Sequence, residues 1–313
     1  MKKVIYNLFG DEDVLQIVEQ KIPAPKPDQV LIRVKAVSIN PLDWKIYRGE
    51  QKLMSGSKFP KSIGIDFSGI VEQPGARSTR FKTGDEVMGV LNGFKEGALA
   101  EYLVINETDL TIKPANTTFE QAAALPLTGI SALQIIDQLA GITNGQDVLI
   151  NGATGGIGVF AVQIAKIRGA RITAVVGSNG AAEAKKWGAE SVIDHHKQDI
   201  KHLNKKFDAV IDLSTKLSFK AAKPLMKNKA VFVTTLPSPL TLIGSFFNNL
   251  FSSKKLKVLI VKPSTEGLAT LKELAEKGLT IVLDKTYHFD QVKNAYRESS
   301  RGRIFGKSVI LVD

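Results

Sequence analysis

The chain has 313 residues, 43% of them hydrophobic and 23% charged, which allows a large core and is ordinary for a globular protein. It contains no cysteine, which excludes disulfides, thiolate zinc sites and a cysteine nucleophile, and fits a cytoplasmic protein. A net charge of +11 suits anionic partners: a nucleotide cofactor, RNA or an acidic membrane surface.

The opening MKKVIYNLFGDEDV reads as a first strand, because its apolar run is too short for a secretory signal. Period-two runs broken by Pro and Gly then dominate residues 1–125. QVLIRVKAVSIN alternates from Val30 to Ile39, and GIDFSGIVEQPG, DEVMGVL and ALAEYLVI are further strands, with a Gly-Asp turn in KTGDEV. Past Pro126 the period changes. TGISALQIIDQLAG places Ile130, Leu133, Ile136 and Leu139 on one helical face, with Gly141 as the stop.

Strands and helices then alternate: VLIN before VFAVQIAKIRGA, ITAVV before AAEAKKWGA, then SVIDH, and FDAVIDL before SFKAAKPLM. AVFVTT leads into a long loop over 237–257, followed by a strand in KVLIVK. This rhythm predicts a doubly wound parallel sheet. The end is mixed, with helices in TEGLATLKELAEKG and DQVKNAYRES and strands in TIVLDKTYHF and SVILVD. The predicted plan is therefore α/β: a β-rich domain from 1–125 and 263–313, interrupted by a Rossmann domain over 126–262.

No stretch is long and apolar enough to span a bilayer. The lysines come in pairs (Lys185–Lys186, Lys205–Lys206, Lys254–Lys255) and no aromatic-basic RNA motif accompanies them, so a solvated basic surface is the plainer reading. Asp194, His195, His196 and His202 have no clean ligand spacing and read as a surface loop rather than a metal site.

The chemistry centres on VLINGATGGIG (148–158). Gly152, Gly155 and Gly158 supply, in turn, a tight bend, close backbone approach to a pyrophosphate and helix–strand packing. The N–H groups of Ala153, Thr154, Gly155, Gly156, Ile157 and Gly158 then face the phosphates at a helix N-terminus. Such a turn also suits a short-chain dehydrogenase. That plan needs the turn near the N-terminus and a Tyr-x-x-x-Lys pair, and none of Tyr6, Tyr47, Tyr102, Tyr287 or Tyr296 has a lysine four positions on.

SINPLDWKIYRG (38–49), IGIDFSGIV (63–71), FKTGDEV (81–87), GALAEYLVI (97–105), AAALPLTGISALQ (122–134) and VLINGATGGIGVFAVQIAK (148–166), followed by WGAESVID and FDAVID, occur in an order that resembles the medium-chain dehydrogenase/reductase superfamily. The resemblance covers essentially the whole chain and points to the zinc-free quinone oxidoreductase branch. It implies a GroES-like β-rich catalytic domain beside the Rossmann domain. It also implies that Asn40 and Ile65 stand where zinc-dependent relatives carry a Cys and a His, while Asp66 keeps a carboxylate position without a metal. The four-cysteine structural lobe is absent.

NAD-specific Rossmann folds usually carry an acid about 20 residues past the glycine turn. Here the second strand ends in Ser178 and Asn179, which favours NADPH over NADH. The resemblance adds His195, in place of a family tyrosine, near the adenosine phosphate, with Lys185 and Lys186 following Ser178 and Asn179. It sets Thr128, Leu213, Ser214, Thr235 and Leu236 around the nicotinamide and its ribose. It puts Asn40, Asp43 and Lys45 at the floor of the substrate cleft, where Asn40 would orient substrate and Lys45 polarise its oxygen, with Trp44 as packing or a pocket wall.

The expected activity is zinc-independent hydride transfer from NADPH to a quinone or to the β-carbon of an α,β-unsaturated carbonyl. The alternative is a non-catalytic NADPH-binding protein with a basic RNA- or membrane-binding surface. The resemblance also implies a homodimer through the sheet edge at KVLIVK. Residues 237–257 are read as a lid or dimer contact, with a membrane contact as the rival.

Overall fold

The computed structural model describes residues 1–93, 96–302 and 305–312. In chain order the first elements are β1 (Lys2–Tyr6), β2 (Gln16–Glu19), β3 (Gln29–Ser38), α1 (Pro41–Tyr47), α2 (Lys52–Ser55), β4 (Lys61–Ser62), β5 (Asp66–Pro74), β6 (Glu86–Val90), β7 (Tyr102–Asn106), β8 (Leu110–Ile112), α3 (Phe119–Ala124) and α4 (Pro126–Leu133). The middle of the chain follows with β9 (Asp147–Asn151), α5 (Gly156–Ile167), β10 (Arg171–Val176), α6 (Ala181–Lys186), β11 (Ser191–Asp194), β12 (Phe207–Asp212), α7 (Phe219–Ala222), β13 (Met226–Thr234), α8 (Pro239–Phe251) and β14 (Lys255–Val258). The last elements are α9 (Thr265–Glu276), β15 (Leu283–His288), α10 (Val292–Ser300) and β16 (Lys307–Leu311). Asp313, the end of the expected closing strand, lies outside the described residues.

Two compact units result, Met1–Leu127 with Pro263–Asp313, and Thr128–Lys262. In the first, β2-β1-β4 form a small sheet and β15-β16-β3-β5-β6-β8 a larger one, with β7 also on β3. β3 is its spine: it pairs antiparallel with β16, β5 and β7. Val30, Ile32 and Val34 of β3 join Tyr6, Phe67, Leu99 and Tyr296 in the core. Burying such alternating β-branched residues is what stabilises the sheet.

The second unit is a six-stranded parallel sheet in the order β11-β10-β9-β12-β13-β14. The direction of winding reverses between β9 and β12, and the C-terminal edge at such a switch point is where open α/β sheets bind ligands. Continuous apolar runs in β9, β10 and β12 reflect burial on both faces.

Three expectations are corrected here. The helix after Pro126 is α-helical only to Leu133; Gln134–Ala140 is a π-helix, ended by left-handed Gly141 at φ 62°. The strand read at AVFVTT starts earlier, at Met226, and the one read at KVLIVK is shifted to Lys255–Val258. The loop over 237–257 contains α8, a 13-residue helix capped by the Ser238 hydroxyl, which accepts the Thr241 N–H. A helix was missed there because its apolar residues do not face a core.

Helix α8 also closes an edge. The Asn249 side chain donates to the Leu256 carbonyl and accepts the Leu256 N–H, each at 2.8 Å, so one amide pairs with β14 as a neighbouring strand would. Ser245 adds a bond to the same carbonyl. Leu256, just before the KVLIVK edge, therefore has both its N–H and its C=O paired.

Candidate functional site

In the second unit the residues marked by sequence gather at the C-terminal ends of the strands. Asn151 of β9 lies in register with Val175 of β10 and Asp212 of β12, and Asp212 with Thr234 of β13. Gly152 then bends the chain at φ 85°, and a Cβ there would lie 3.1 Å from the Ser214 nitrogen. At Gly158 a Cβ would lie 2.3 Å from the Gly152 carbonyl oxygen, so only glycine fits. The N–H groups of Gly152 and Ala153 are turned back onto the Val175 carbonyl. Those opening α5 meet no side-chain cap, because the N-cap is Gly155. A buried strand thus ends in a helix N-terminus with no side-chain cap, a fit for a pyrophosphate by backbone shape, N–H donors and helix dipole.

A polar knot fixes the far wall. Buried Asp212 accepts from Asn151 Nδ2 at 2.9 Å, from Ser214 Oγ at 2.7 Å and from the Leu217 N–H at 3.2 Å. Asn151 also donates to Ser214 Oγ, and Thr215 beyond it is held at φ 61°, a left-handed conformation rare for a threonine. Leu213 and Ser214 are thereby pressed against the glycine turn. Neither Asn151 nor Asp212 was singled out by sequence, although each is a polar residue ending an apolar strand, which was the available signal. Thr235 and Leu236 follow β13 at the same edge, with the Leu236 N–H on Thr234 Oγ1. Thr128 is buried in α4.

The adenosine end needs a correction. Ser178 and Asn179 follow β10 as expected, but an acid stands beside them. Asp194, in register with Val176, shares a hydrogen bond with the Ser178 side chain. Its carboxyl is held below the usual range by the His196 N–H, assisted by Ser178 and Lys197. The His195 and His196 rings lie 4.1 Å apart in front of Gly177. Thr154 reaches the same place, since a Cβ on Gly180 would meet its methyl group at 2.6 Å. Lys186 is turned aside to Glu183.

In the first unit, Asn40 caps α1 and is 1% exposed. Its side chain is fully committed: Nδ2 donates to Asp66 Oδ2 at 3.0 Å, and Oδ1 accepts from Lys307 Nζ at 2.5 Å. Lys307 also donates to the Ile39 carbonyl and stands 4.0 Å from Asp66. Asp43 takes the Asn40 N–H and the Tyr296 hydroxyl on Oδ2, while its buried Oδ1 meets no donor among the described residues. Asp66 further accepts from the Ser38 hydroxyl and the Leu127 N–H.

Two carboxylates and one ammonium are therefore buried together. Burial pushes Asp43 up to about 7 and also raises Asp66, while it lowers Lys307. Lys307 lies 267 positions from Asn40 and carried no sequence signal. Lys45, one turn further along α1, is half-buried.

The comparisons with known proteins agree with this architecture. Residues 26–115 match the alcohol dehydrogenase GroES-like domain family, and residues 187–310 the family described as zinc-binding dehydrogenase. A chloroplastic quinone-oxidoreductase homolog of Spinacia oleracea is 32% identical over 99% of this chain and 98% of its own length. The 2-methylene-furan-3-one reductase of Solanum lycopersicum is 34% identical over 99% of this chain and 79% of its own. Among solved structures, the quinone oxidoreductase of Coxiella burnetii superposes with a TM-score of 0.90 at 28% identity, covering 100% of this chain and 99% of that one. The chain belongs to the medium-chain dehydrogenase/reductase superfamily and is an oxidoreductase of its quinone oxidoreductase branch.

Proposed function

We propose that the protein reduces quinones or α,β-unsaturated carbonyls with NADPH and without zinc. The observation that carries this reading is the glycine turn at the β9–β12 switch point, where Gly158 leaves no room for a side chain and α5 opens with uncapped N–H groups. The bound dinucleotide supplies the hydride. The chain's own residues bind and orient: the uncapped backbone opening α5 at Gly156–Gly158 holds the pyrophosphate, with the Ala153 and Gly155 N–H groups bonded to the Val175 and Gly152 carbonyls, and Leu213, Ser214, Thr235, Leu236 and Thr128 border the nicotinamide half.

Ser178, Asn179 and His195 offer donors to a 2′-phosphate. Asp194 opposes that phosphate, but its charge is already shared among the His196 N–H, Ser178 and Lys197. Asn40, spent on Asp66 and Lys307, sets the shape of the α1 region, and Lys45 stands as the proton donor to the reduced acceptor. Against zinc stand two facts of chemistry. The Asn40 amide oxygen already accepts an ammonium, and Ile65 has no donor atom. The acceptor class is supported by the names of the spinach and tomato relatives, a quinone-oxidoreductase homolog and a 2-methylene-furan-3-one reductase.

The test follows loss of reduced-nicotinamide absorbance with NADPH and with NADH, against benzoquinone, naphthoquinone, phenanthrenequinone and a medium-chain enone, before and after chelator treatment. Turnover with quinones, preference for NADPH and indifference to chelator are the expected results. Turnover with the enone alone narrows the acceptor to alkenals and alkenones. Dinucleotide binding with no turnover on any acceptor overturns the enzymatic reading.

A further inference from the structure

We infer that the outward face of α8 docks onto an anionic lipid bilayer. The helix is amphipathic in the reverse of the usual sense. Its polar row faces the protein: Ser245 and Asn249 bind Leu256 of β14, and Asn248 donates to the Lys254 carbonyl at 2.9 Å. Leu240, Ile243, Phe246, Phe247, Leu250 and Phe251 are each more than half exposed, with Leu240 at 82% and Phe251 at 87%, and no residue of α8 is buried. A contiguous apolar surface of this kind, on one 13-residue helix, marks an interaction site. Because the polar row satisfies the edge of β14, the helix cannot roll its apolar side inward without freeing the N–H and C=O of Leu256.

Charge selects the occupant. Between Asp212 and Glu266 the sequence contains nine lysines and no acid. Lys254 and Lys255 follow the helix directly, and Lys254 Nζ binds the Lys223 carbonyl, which gathers that lysine at the same end. Leu and Phe side chains beside lysines fit the boundary between acyl chains and anionic headgroups. A second copy of the chain would set like charge against like charge across the apolar contact. Nucleic acid would meet the lysines and leave Leu240, Ile243 and Leu250 in water.

The experiment is flotation of the full chain with phosphatidylcholine vesicles, with and without phosphatidylglycerol, at low and high salt. A triple variant (Phe246→Ser, Leu250→Ser, Phe251→Ser) and a double variant (Lys223→Glu, Lys254→Glu) accompany the wild type; circular dichroism and melting temperature check that each is folded. Wild type is expected to float with anionic vesicles, less so at high salt, with at least about a tenfold drop for the triple variant and a smaller drop for the double. Equal flotation of the triple variant and wild type overturns the proposal. So does an absence of flotation, whether sedimentation then shows self-association that the triple variant abolishes or a titration shows salt-sensitive binding to single-stranded RNA.

Discussion

Strand β9 is five residues long, and its two ends are built on opposite principles. At its start Asp147 is clamped by Arg171 at 2.9 Å, Lys227 at 2.8 Å and Lys205 at 3.2 Å, with Asp208 sharing Lys227. At its end Asn151, Asp212 and Ser214 form a compact knot of neutral and acidic groups, leading into a glycine-rich turn whose helix N-terminus has no side-chain cap. The first end uses charge to hold four strands, β9, β10, β12 and β13, together. The second keeps its positive potential in backbone N–H groups, which remain available to an anion. With the proposed cofactor site at that turn, stability and binding divide along one strand, as ligand sites at the C-terminal edge of α/β sheets lead one to expect.

The sharpest way to break that division is Gly158→Ala. Its Cβ would sit 2.3 Å from a backbone oxygen, so a loss of about 1–3 kcal/mol in stability is expected, with dinucleotide affinity falling on the order of a hundredfold. Denaturant melts and fluorescence titration measure the two. Asp212→Ala comes next. It leaves the Leu217 N–H and the Ser214 hydroxyl without their Asp212 acceptor, and Asn151 Nδ2 with Ser214 Oγ alone, which costs about 1–3 kcal/mol and loosens Ser214 beside the turn, so affinity should fall about tenfold in the same titration.

Asp147→Asn tests the other end, where stability should fall by about 1–2 kcal/mol while kcat/KM is unchanged. The figure is discounted because Arg171, Lys205 and Lys227 are 48%, 48% and 37% exposed. The pH dependence has a definite sign. Arg171 first, then Lys227 and Lys205, hold the Asp147 carboxyl well below the ordinary carboxylate range. Its contribution is thus present above about pH 4, the unfolded value, and is lost as pH falls further. Melts of wild type and variant should converge in acid; parallel curves would remove Asp147 from the account. The smallest effect concerns cofactor choice. Asp194→Asn deletes the negative charge beside Ser178 and should raise the NADPH-to-NADH ratio of kcat/KM by about three- to tenfold.

Legibility in the sequence followed from how local each cause is. The parallel sheet showed itself because strands buried on both faces read as unbroken apolar runs, such as VLI and ITAVV. The glycine turn was readable because its constraints fall within seven residues. Asp194 was not, because it reaches Ser178 through pairing of β10 with β11, a neighbourhood absent from linear order. Lys307 and Asn40 are a stronger case of the same kind, joined only by β16 lying against β3. Helix α8 was hidden for another reason: reading a helix by its apolar stripe assumes that the stripe faces inward, and here the polar row does.

The position of β16 carries a consequence for how the protein is made. Strand β16 leaves the ribosome after the other strands of its seven-stranded sheet, pairs with β3 and β15, and brings Lys307 to Asp43 and Asp66. Until it emerges, those carboxylates have no lysine partner and β3 has an open side. Residues 128–262 contain all six strands of their own sheet and can close while synthesis continues; residues 1–127 must wait for β15 and β16. A nascent chain halted before residue 307 would therefore hold a finished parallel-sheet unit and an unfinished β-rich one, making β16 the checkpoint of biosynthesis.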